Sequence, residues 1–288
     1  MPTSTGLDSW HRASGLLDML GASHEALGVS ALSEQLQLPR STVARYLSVL
    51  HELGFVQQSP DDQRYRLGPK LYLLGRAVPL DALVRDAARP HLLALTETMG
   101  ETTILTIADG ATALCVEKID SPHAMRLTAR IGERVPLHCG SSPRCLLAYL
   151  SEAERAAYLA RPLPSFSPNT ITDPDALRRA IAETRAVGYV VSRSEIDDGM
   201  VSVAAPIGDG CGSVIAAVSM AGPAIRLPDA RLPDVIAAVR ATAAAISAAW
   251  RAISTGQDRN ERHHAVGEGS VRRENAGNPS GQVWTASP

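Results

Sequence analysis

The sequence predicts an α+β protein built as two domains, and three observations predict it. First, 288 residues with a hydrophobic fraction of 45% exceed the needs of one small module and suit two cores of ordinary size. Second, residues 9–70 hold three short amphipathic helical patterns and then one hairpin. Third, residues 85–254 alternate helical patterns with β-rich runs around Asp109-Gly110 and Asp209-Gly210, as expected of a central antiparallel sheet with helices outside it. The stretch 71–84 reads as a linker helix. Residues 1–8 read as a disordered N-terminus. Residues 255–288, rich in Arg, Glu, Gly, Asn and Ser with no apolar period, read as a disordered tail.

Taken in order, Leu16, Leu17, Met19 and Leu20 make an apolar stripe that stops at Gly21, a residue suited to a helix C′ position. Ser30, with Ser33 as a second option, starts the next helix, which Leu38-Pro39 breaks. The third helix runs Pro39–Leu53, with Val43, Leu47, Leu50 and Leu53 on one face, and Gly54 ends it. Strands at 55–58 and 64–67 flank the turn Ser59-Pro60-Asp61-Asp62. Leu71, Leu73 and Leu74 form the apolar positions of the linker, which Pro79 kinks or ends.

In the larger domain a helix covers 88–99 and strands cover 102–108, 113–119 and 125–129. A helix begins at Ser142-Pro143, where Ser142 suits the N-cap and Pro143 the first helical position. Another covers 175–188. Strands follow at 189–192, 201–206 and 214–220, and a closing helix at 232–250.

A net charge of −2 excludes a uniformly basic nucleic-acid coat. Four Cys exclude a disulfide-stapled secreted scaffold. Residues 1–14 are polar and lack the apolar segment of a secretory signal, and the apolar stretch 235–250 carries Arg240. We therefore expect a cytoplasmic protein without a membrane partner, and neither cofactor nor metal.

Helix, helix, turn, helix and hairpin in this order make a winged helix-turn-helix. The face of its third helix away from the core carries Arg40, Ser41, Thr42, Arg45 and Tyr46. Short hydroxyls at a helix N-terminus approach phosphate, where the dipole favours an anion. Arg40 and Arg45 can reach base edges, guanine O6 and N7 most readily. Arg64 and Arg66, two apart on a strand, point to one face of the wing. From residue 40 to 76 there are six basic residues, Arg76 among them, against three acidic ones, a local excess on an acidic chain. These features point to double-stranded DNA as a partner.

A second constellation lies in the larger domain. The helix start at Ser142 presents free N–H groups and a partial positive charge, a seat for a carboxylate. Ser192, Ser202 and Ser219 fall on three predicted strands, so all can line one end of the sheet. Hydroxyls, amides and apolar walls suit a small organic acid or a phenol.

The stretch 38–47 (Leu-Pro-Arg-Ser-Thr-Val-Ala-Arg-Tyr-Leu) resembles the recognition helix of the IclR family of bacterial transcriptional regulators. Leu53-Gly54-Phe55-Val56 and Tyr65-Arg66-Leu67-Gly68 resemble its wing. Gly132-Glu133-Arg134-Val135-Pro136-Leu137-His138 resembles the approach to its effector domain. Gly188, Ser192, Glu195, Ser202, Val203, Ala204, Ile207 and Asp209 fall at the spacing of its C-terminal signature.

The resemblance spans about 10–250 and implies a GAF-like effector domain and assembly as a homodimer or dimer of dimers through the N-terminal domain and linker. It also implies an effector held by Ser141, Ser142, Ser192, Ser202 and Ser219, with Glu195 as the signature acid. The sequence departs from the family where Pro143-Arg144 replaces a usual Gly-Lys, Ser192 stands for a common acid, Ala221 replaces a frequent Ser, and Gly208 replaces an aromatic or His. We therefore expect a DNA-binding transcriptional regulator, not an enzyme, controlled by a small organic effector of carboxylate or aromatic type.

Two alternatives differ in kind. One is an enzyme fused to a DNA-binding domain, with His138, Cys139 or Glu195 doing chemistry. The other is a metal- or redox-responsive regulator built on Cys115, Cys139, Cys145 and Cys211. The four thiols lack a CxxC spacing, so zinc is poorly matched and burial as small hydrophobes suits them better. Gly208-Asp209-Gly210-Cys211-Gly212 has a Gly rhythm but no long helix after it, so a tight hairpin accounts for it better than a dinucleotide loop. His263-His264, in the tail, could bind stray metal, but nothing else in the sequence corroborates a site there.

Overall fold

The computed structural model describes residues 4–23, 25–75 and 77–255; Arg76 and His263-His264 lie outside them. The chain divides into two compact units between Leu80 and Asp81.

The first unit comprises α1 (Ser4–Ala22), α2 (Val29–Leu36), α3 (Arg40–Glu52), β1 (Val56–Gln58), β2 (Tyr65–Leu67) and α4 (Pro69–Gly75). Leu16 and Leu20 of α1, Leu32 of α2, and Val43, Leu47 and Leu50 of α3 share one buried cluster with Val56 and Tyr65. At ~25 cal/mol per Å² of apolar surface, that cluster is what holds three short helices together. Between α2 and α3 Gln37 adopts a left-handed conformation (φ 52°), and Ser33 Oγ donates to the Leu38 carbonyl at 2.6 Å.

Leu27 and Tyr65 exchange both backbone hydrogen bonds, at 2.9 and 2.8 Å, tying the α1–α2 loop to the wing. Gly68 passes so close to β1 that a Cβ there would lie 2.3 Å from the Gly54 carbonyl oxygen. Only glycine admits this approach.

Four expectations need correction in this unit. The expected disordered segment 1–8 is helical from Ser4 onward, because α1 extends N-terminally of its buried stripe. Gly21 lies inside α1 rather than beyond it, and Ser23 makes the turn, its Oγ donating to the Glu25 carbonyl. Neither Ser30 nor Ser33 caps α2. Pairing with Tyr65 keeps the chain extended as far as Leu27, so Gly28 takes the N-cap position, with no side-chain cap. Leu53 is 49% exposed, since α3 ends one residue before it.

The single linker helix expected at 71–84 is instead α4 and a separate α5 (Leu80–Met99). Proline drives its predecessor from helical geometry, so Val78 and Pro79 form a turn, and α5 starts at the next residue. Pro90, inside α5, is solvent-exposed, where the N–H it lacks and its ring are best tolerated.

The second unit continues with β3 (Thr102–Asp109), β4 (Thr112–Ile119), β5 (Arg134–Pro136), α6 (Ser141–Tyr149), α7 (Glu152–Leu159), α8 (Pro174–Val187), β6 (Val190–Arg193), β7 (Met200–Gly208), β8 (Val214–Pro223) and α9 (Leu232–Ser254). The six strands form one antiparallel sheet in the order β5-β4-β3-β8-β7-β6.

Strand alternation gives the sheet two faces. Leu105, Val116, Val203, Ala205, Ile207, Val218 and Met220 pack against α5 and α9. On the other face Ala113, Val190, Ala204 and Ala217 pack under Leu146, Leu147, Leu177 and Ile181 of α6 and α8. α9 is long and apolar enough to cross a membrane by composition, yet Val235, Val239, Ala243 and Ile246 bury its stripe in the core.

The strand expected at 125–129 does not form. Side chains rather than a neighbouring strand hold its carbonyls: Lys118 Nζ donates to Ala129 O at 2.7 Å and Arg226 Nη2 to Met125 O at 2.8 Å. β5 takes the edge beside β4 instead. Of the four cysteines, Cys115, Cys139 and Cys145 are buried, whereas Cys211 is exposed, placed by the Asp209–Ser213 turn in which Asp209 Oδ1 accepts the Cys211 and Ser213 N–H groups.

Candidate functional site

Two regions, one in each unit, gather the side chains singled out by sequence. In the first, α3 buries Val43, Leu47 and Leu50 and so turns Arg40, Ser41 and Arg45 to solvent, with Thr42 and Tyr46 half-buried beside them. The Arg45 guanidinium lies 5.8 Å from the Tyr46 ring centroid, a cation–π arrangement that leaves the fork available.

On the wing Arg64 and Arg66 are exposed on either side of buried Tyr65. Arg64 sits just before β2 rather than within it, and its charge is partly committed. Asp62 lies 3.7 Å away, and its carboxyl is held below the ordinary carboxylate range by the Ser59 hydroxyl, by the Arg64 N–H and by the guanidinium. Arg66 Nη2 donates to Gln57 Oε1 at 3.4 Å, a long bond to a neutral group.

The second region is a cavity of about 230 Å³ between the α6 face of the sheet and the loop 127–129. That is smaller than the ~300 Å³ lower end of ordinary ligand clefts. Ser141, Ser142, Ser192, Glu195, Ser202 and Ser219 all line it. Register explains the grouping. Ser192 pairs with Ser202 across β6–β7, and Ser219 pairs with Ala204 and Ile104 one step along the same face. Small residues at Ala113 and Ala221, which line the cavity, leave space that a larger apolar side chain would fill.

α6 aims its N-terminus at this space, but differently from the expected cap. Its N-cap is Gly140, at φ 83°, a conformation that suits glycine; Ser142 and Pro143 lie inside the first turn. Glu195 is engaged with the protein through one carboxylate oxygen. Its Oε2 accepts the Gly140 N–H at 3.0 Å and Arg144 Nη1 at 2.5 Å, while Arg144 Nη2 reaches Val191 O at 3.0 Å. The two side chains are 6% and 7% exposed. Ser142 Oγ accepts from Thr106 Oγ1 at 3.0 Å. The lip of the cavity is fastened from behind: Thr170 Oγ1 donates to Glu195 O at 2.6 Å and Ser167 Oγ to Ser194 O at 2.5 Å.

Sequence reasoning missed Thr106, Glu133 and Asp197, which also line the cavity, and Arg144, which pairs behind it. Thr106 becomes visible only once β3 is in register with β8; Glu133 lay within the Gly132–His138 stretch and carried a legible signal.

Of the groups invoked by the alternatives, Glu195 and Cys115 line the cavity, whereas His138, Cys139, Cys145 and Cys211 are not among its lining residues. His138 is fully buried, its Nδ1 2.8 Å from Tyr158 Oη and its Nε2 2.9 Å from Pro164 O. Since a carbonyl only accepts, Nε2 carries the proton and Nδ1 takes the Tyr158 O–H. Burial raises the thiol of Cys115 to about 11 and those of Cys139 and Cys145 to about 12. They remain thiols at neutral pH, poor nucleophiles and poor redox partners.

A winged helix with donors on its third helix, and an α+β domain holding a partly open cavity of mixed polar and apolar lining, fit a transcriptional regulator with a separate effector domain. Residues 9–60 match the IclR helix-turn-helix domain and residues 80–248 match the bacterial transcriptional regulator IclR C-terminal domain. The chain belongs to the IclR family; it is a regulator and not an enzyme.

It is 34% identical to the HTH-type transcriptional regulator XynR of Escherichia coli K12 over 229 residues, covering 79% of this chain and 91% of that protein. It is 32% identical to the transcriptional repressor AllR of the same strain over 245 residues, covering 85% and 90%. Among solved structures, Thermotoga maritima IclR aligns at TM-score 0.56 and 29% identity over 85% of this chain and 99% of that one. An IclR homologue from Microbacterium hydrocarbonoxydans, in complex with 4-hydroxybenzoate, aligns at TM-score 0.57 and 30% identity over the same shares.

Proposed function

We propose that this chain is a cytoplasmic homo-oligomeric regulator that binds a two-fold DNA operator through α3 and the wing, and that a small organic effector in the 230 Å³ cavity controls that binding. The observation that carries the DNA half is the division of α3: Val43, Leu47 and Leu50 inside, Arg40, Ser41 and Arg45 outside. A helix of 13 residues reads too few bases for genomic specificity, so two copies on a palindrome are required. Exposed Leu73 and Leu74 on α4 support assembly. The effector half is supported by the convergence of Ser141, Ser142, Ser192, Ser202 and Ser219 on one cavity, and by the relative that holds 4-hydroxybenzoate.

Control then takes the form of a population shift. The effector favours one arrangement of the paired DNA readers by the difference in its affinity for the two, and a ligand that binds both equally changes nothing. Arg144 and Glu195 position the α6 terminus and the Ser192–Glu195 lip. The double-stranded DNA upstream of the regulator's own gene, in a gel-shift titration, tests the first half. Arg45→Ala should weaken specific binding by about 1–3 kcal/mol and relax discrimination at one base pair. Unchanged affinity and unchanged discrimination would remove α3 from the groove.

A further inference from the structure

The effector site carries chemistry that narrows its ligand further than the small organic acid or phenol expected from sequence. Three hydroxyls in it, those of Ser141, Ser192 and Ser219, belong to residues only 3%, 5% and 3% exposed. They hydrogen-bond to no described residue, and none of them is sealed away from the cavity. Each hydroxyl therefore presents a donor and two lone pairs to whatever occupies the space.

The charged groups around it are of one sign. Among the described residues lining the cavity there is no Lys, Arg or His, while Glu133, Glu195 and Asp197 are present. Glu195 is balanced by Arg144; among the described residues Glu133, whose Oε2 accepts the Arg130 N–H, and Asp197 have no ion-pair partner.

The α6 N-terminus is the one feature that favours an anion, and it is already reduced. A carboxylate of the protein takes the Gly140 N–H, and Pro143 supplies none. The amides of Ser141 and Ser142 are left, enough to hold a neutral oxygen.

We propose, resting on the reading of this cavity as the effector site, that its ligand is a neutral polyhydroxylated molecule small enough for the 230 Å³ cavity, of the alditol or aldose class, and not a carboxylate. A carboxylate only accepts hydrogen bonds, so it uses the serine protons and leaves their lone pairs dry. It also meets two uncompensated acids at the mouth. A polyol both donates and accepts, and it carries no charge for Glu133 and Asp197 to repel.

Isothermal titration of the full-length protein tests this with matched pairs: erythritol, ribitol and glucose against erythronate, ribonate and gluconate, with 4-hydroxybenzoate as an aromatic anion. At least one neutral member should bind ten-fold or more tightly than its acid and than 4-hydroxybenzoate. Ser192→Ala and Ser219→Ala should each weaken it by about three- to ten-fold without moving the melting temperature of the free protein by more than a degree or two. Glu133→Gln combined with Asp197→Asn should narrow the gap between neutral and acid, because the repulsion is gone.

Tighter binding of any carboxylate in the panel, or a neutral ligand indifferent to both serine variants, overturns the neutral-ligand proposal and leaves the effector site standing. A gap that the double charge neutralisation does not narrow also overturns it. If neither arm binds while the protein still shifts its operator, the effector reading itself falls, and the proposal with it.

Discussion

Arg144→Ala should destabilise the second unit by about 3–5 kcal/mol, the range for stripping one partner from a buried ion pair. The pair is 2.5 Å apart at its closest atoms, with 6% and 7% of the two side chains exposed. At an effective dielectric of about 20, charges ~4 Å apart attract by about 4 kcal/mol. The desolvation of each ion costs several kcal/mol, so the intact pair is close to neutral in its net effect. Removing Arg144 leaves the desolvation of Glu195 in place with one remaining donor, the Gly140 N–H, and leaves Val191 O without its guanidinium.

Arg144→Met with Glu195→Met should therefore recover most of the loss, ending within about 2 kcal/mol of the wild type. Urea unfolding followed at Trp250, with Trp10 and Trp284 changed to Phe, reports on this unit alone. A single-variant loss below about 1 kcal/mol, or a double variant less stable than Arg144→Ala, would refute the reasoning.

Arg66→Ala should weaken binding to specific and random DNA alike and reduce the slope of log K against log salt by about one, read from titrations at several salt concentrations. Leu47→Ala, at a fully buried position on α3, should cost the first unit about 2–5 kcal/mol, measured by calorimetry. In alkali the unfolded chain ionises its cysteines near pH 9 while Cys115, Cys139 and Cys145 hold their protons to about 11, 12 and 12. The unfolded state then binds fewer protons, so stability is full below pH 9 and declines as pH rises from there; a wild-type protein equally stable at pH 8.5 and 10.5 contradicts the burial. Iodoacetamide at neutral pH should label Cys211 well before the other three, as peptide mapping would show.

The winged helix was legible because its signals are local. Val43, Leu47 and Leu50 repeat at the helical period, and Gly54 and the Pro60 turn punctuate them. The strands of the larger sheet were legible too, through alternation and Asp-Gly turns. What escaped depended on partners distant in sequence. Met125, Leu127, Thr128 and Ala129 resemble a strand, yet Arg226 and Lys118 occupy the carbonyls of Met125 and Ala129. The start of α2 is set by a bridge to Tyr65, 38 residues away. The serines of the cavity could be named from spacing and resemblance, but the commitment of Glu195 to Arg144 could not, because nothing local joins residue 144 to residue 195.

The two-faced sheet separates two evolutionary tasks. Along each strand, every second side chain answers to the core under α5 and α9, and the ones between divide between the cavity (Ser192, Ser202, Ser219, Ala221) and the core under α6 and α8 (Val190, Ala204, Ala217). On the effector reading proposed above, substitutions at 192, 202, 219 and 221 retune what the domain senses while their immediate neighbours keep the interior unchanged. A single scaffold of this kind can diversify into sensors for many metabolites through a handful of exchanges, with no need to invent a new fold for each.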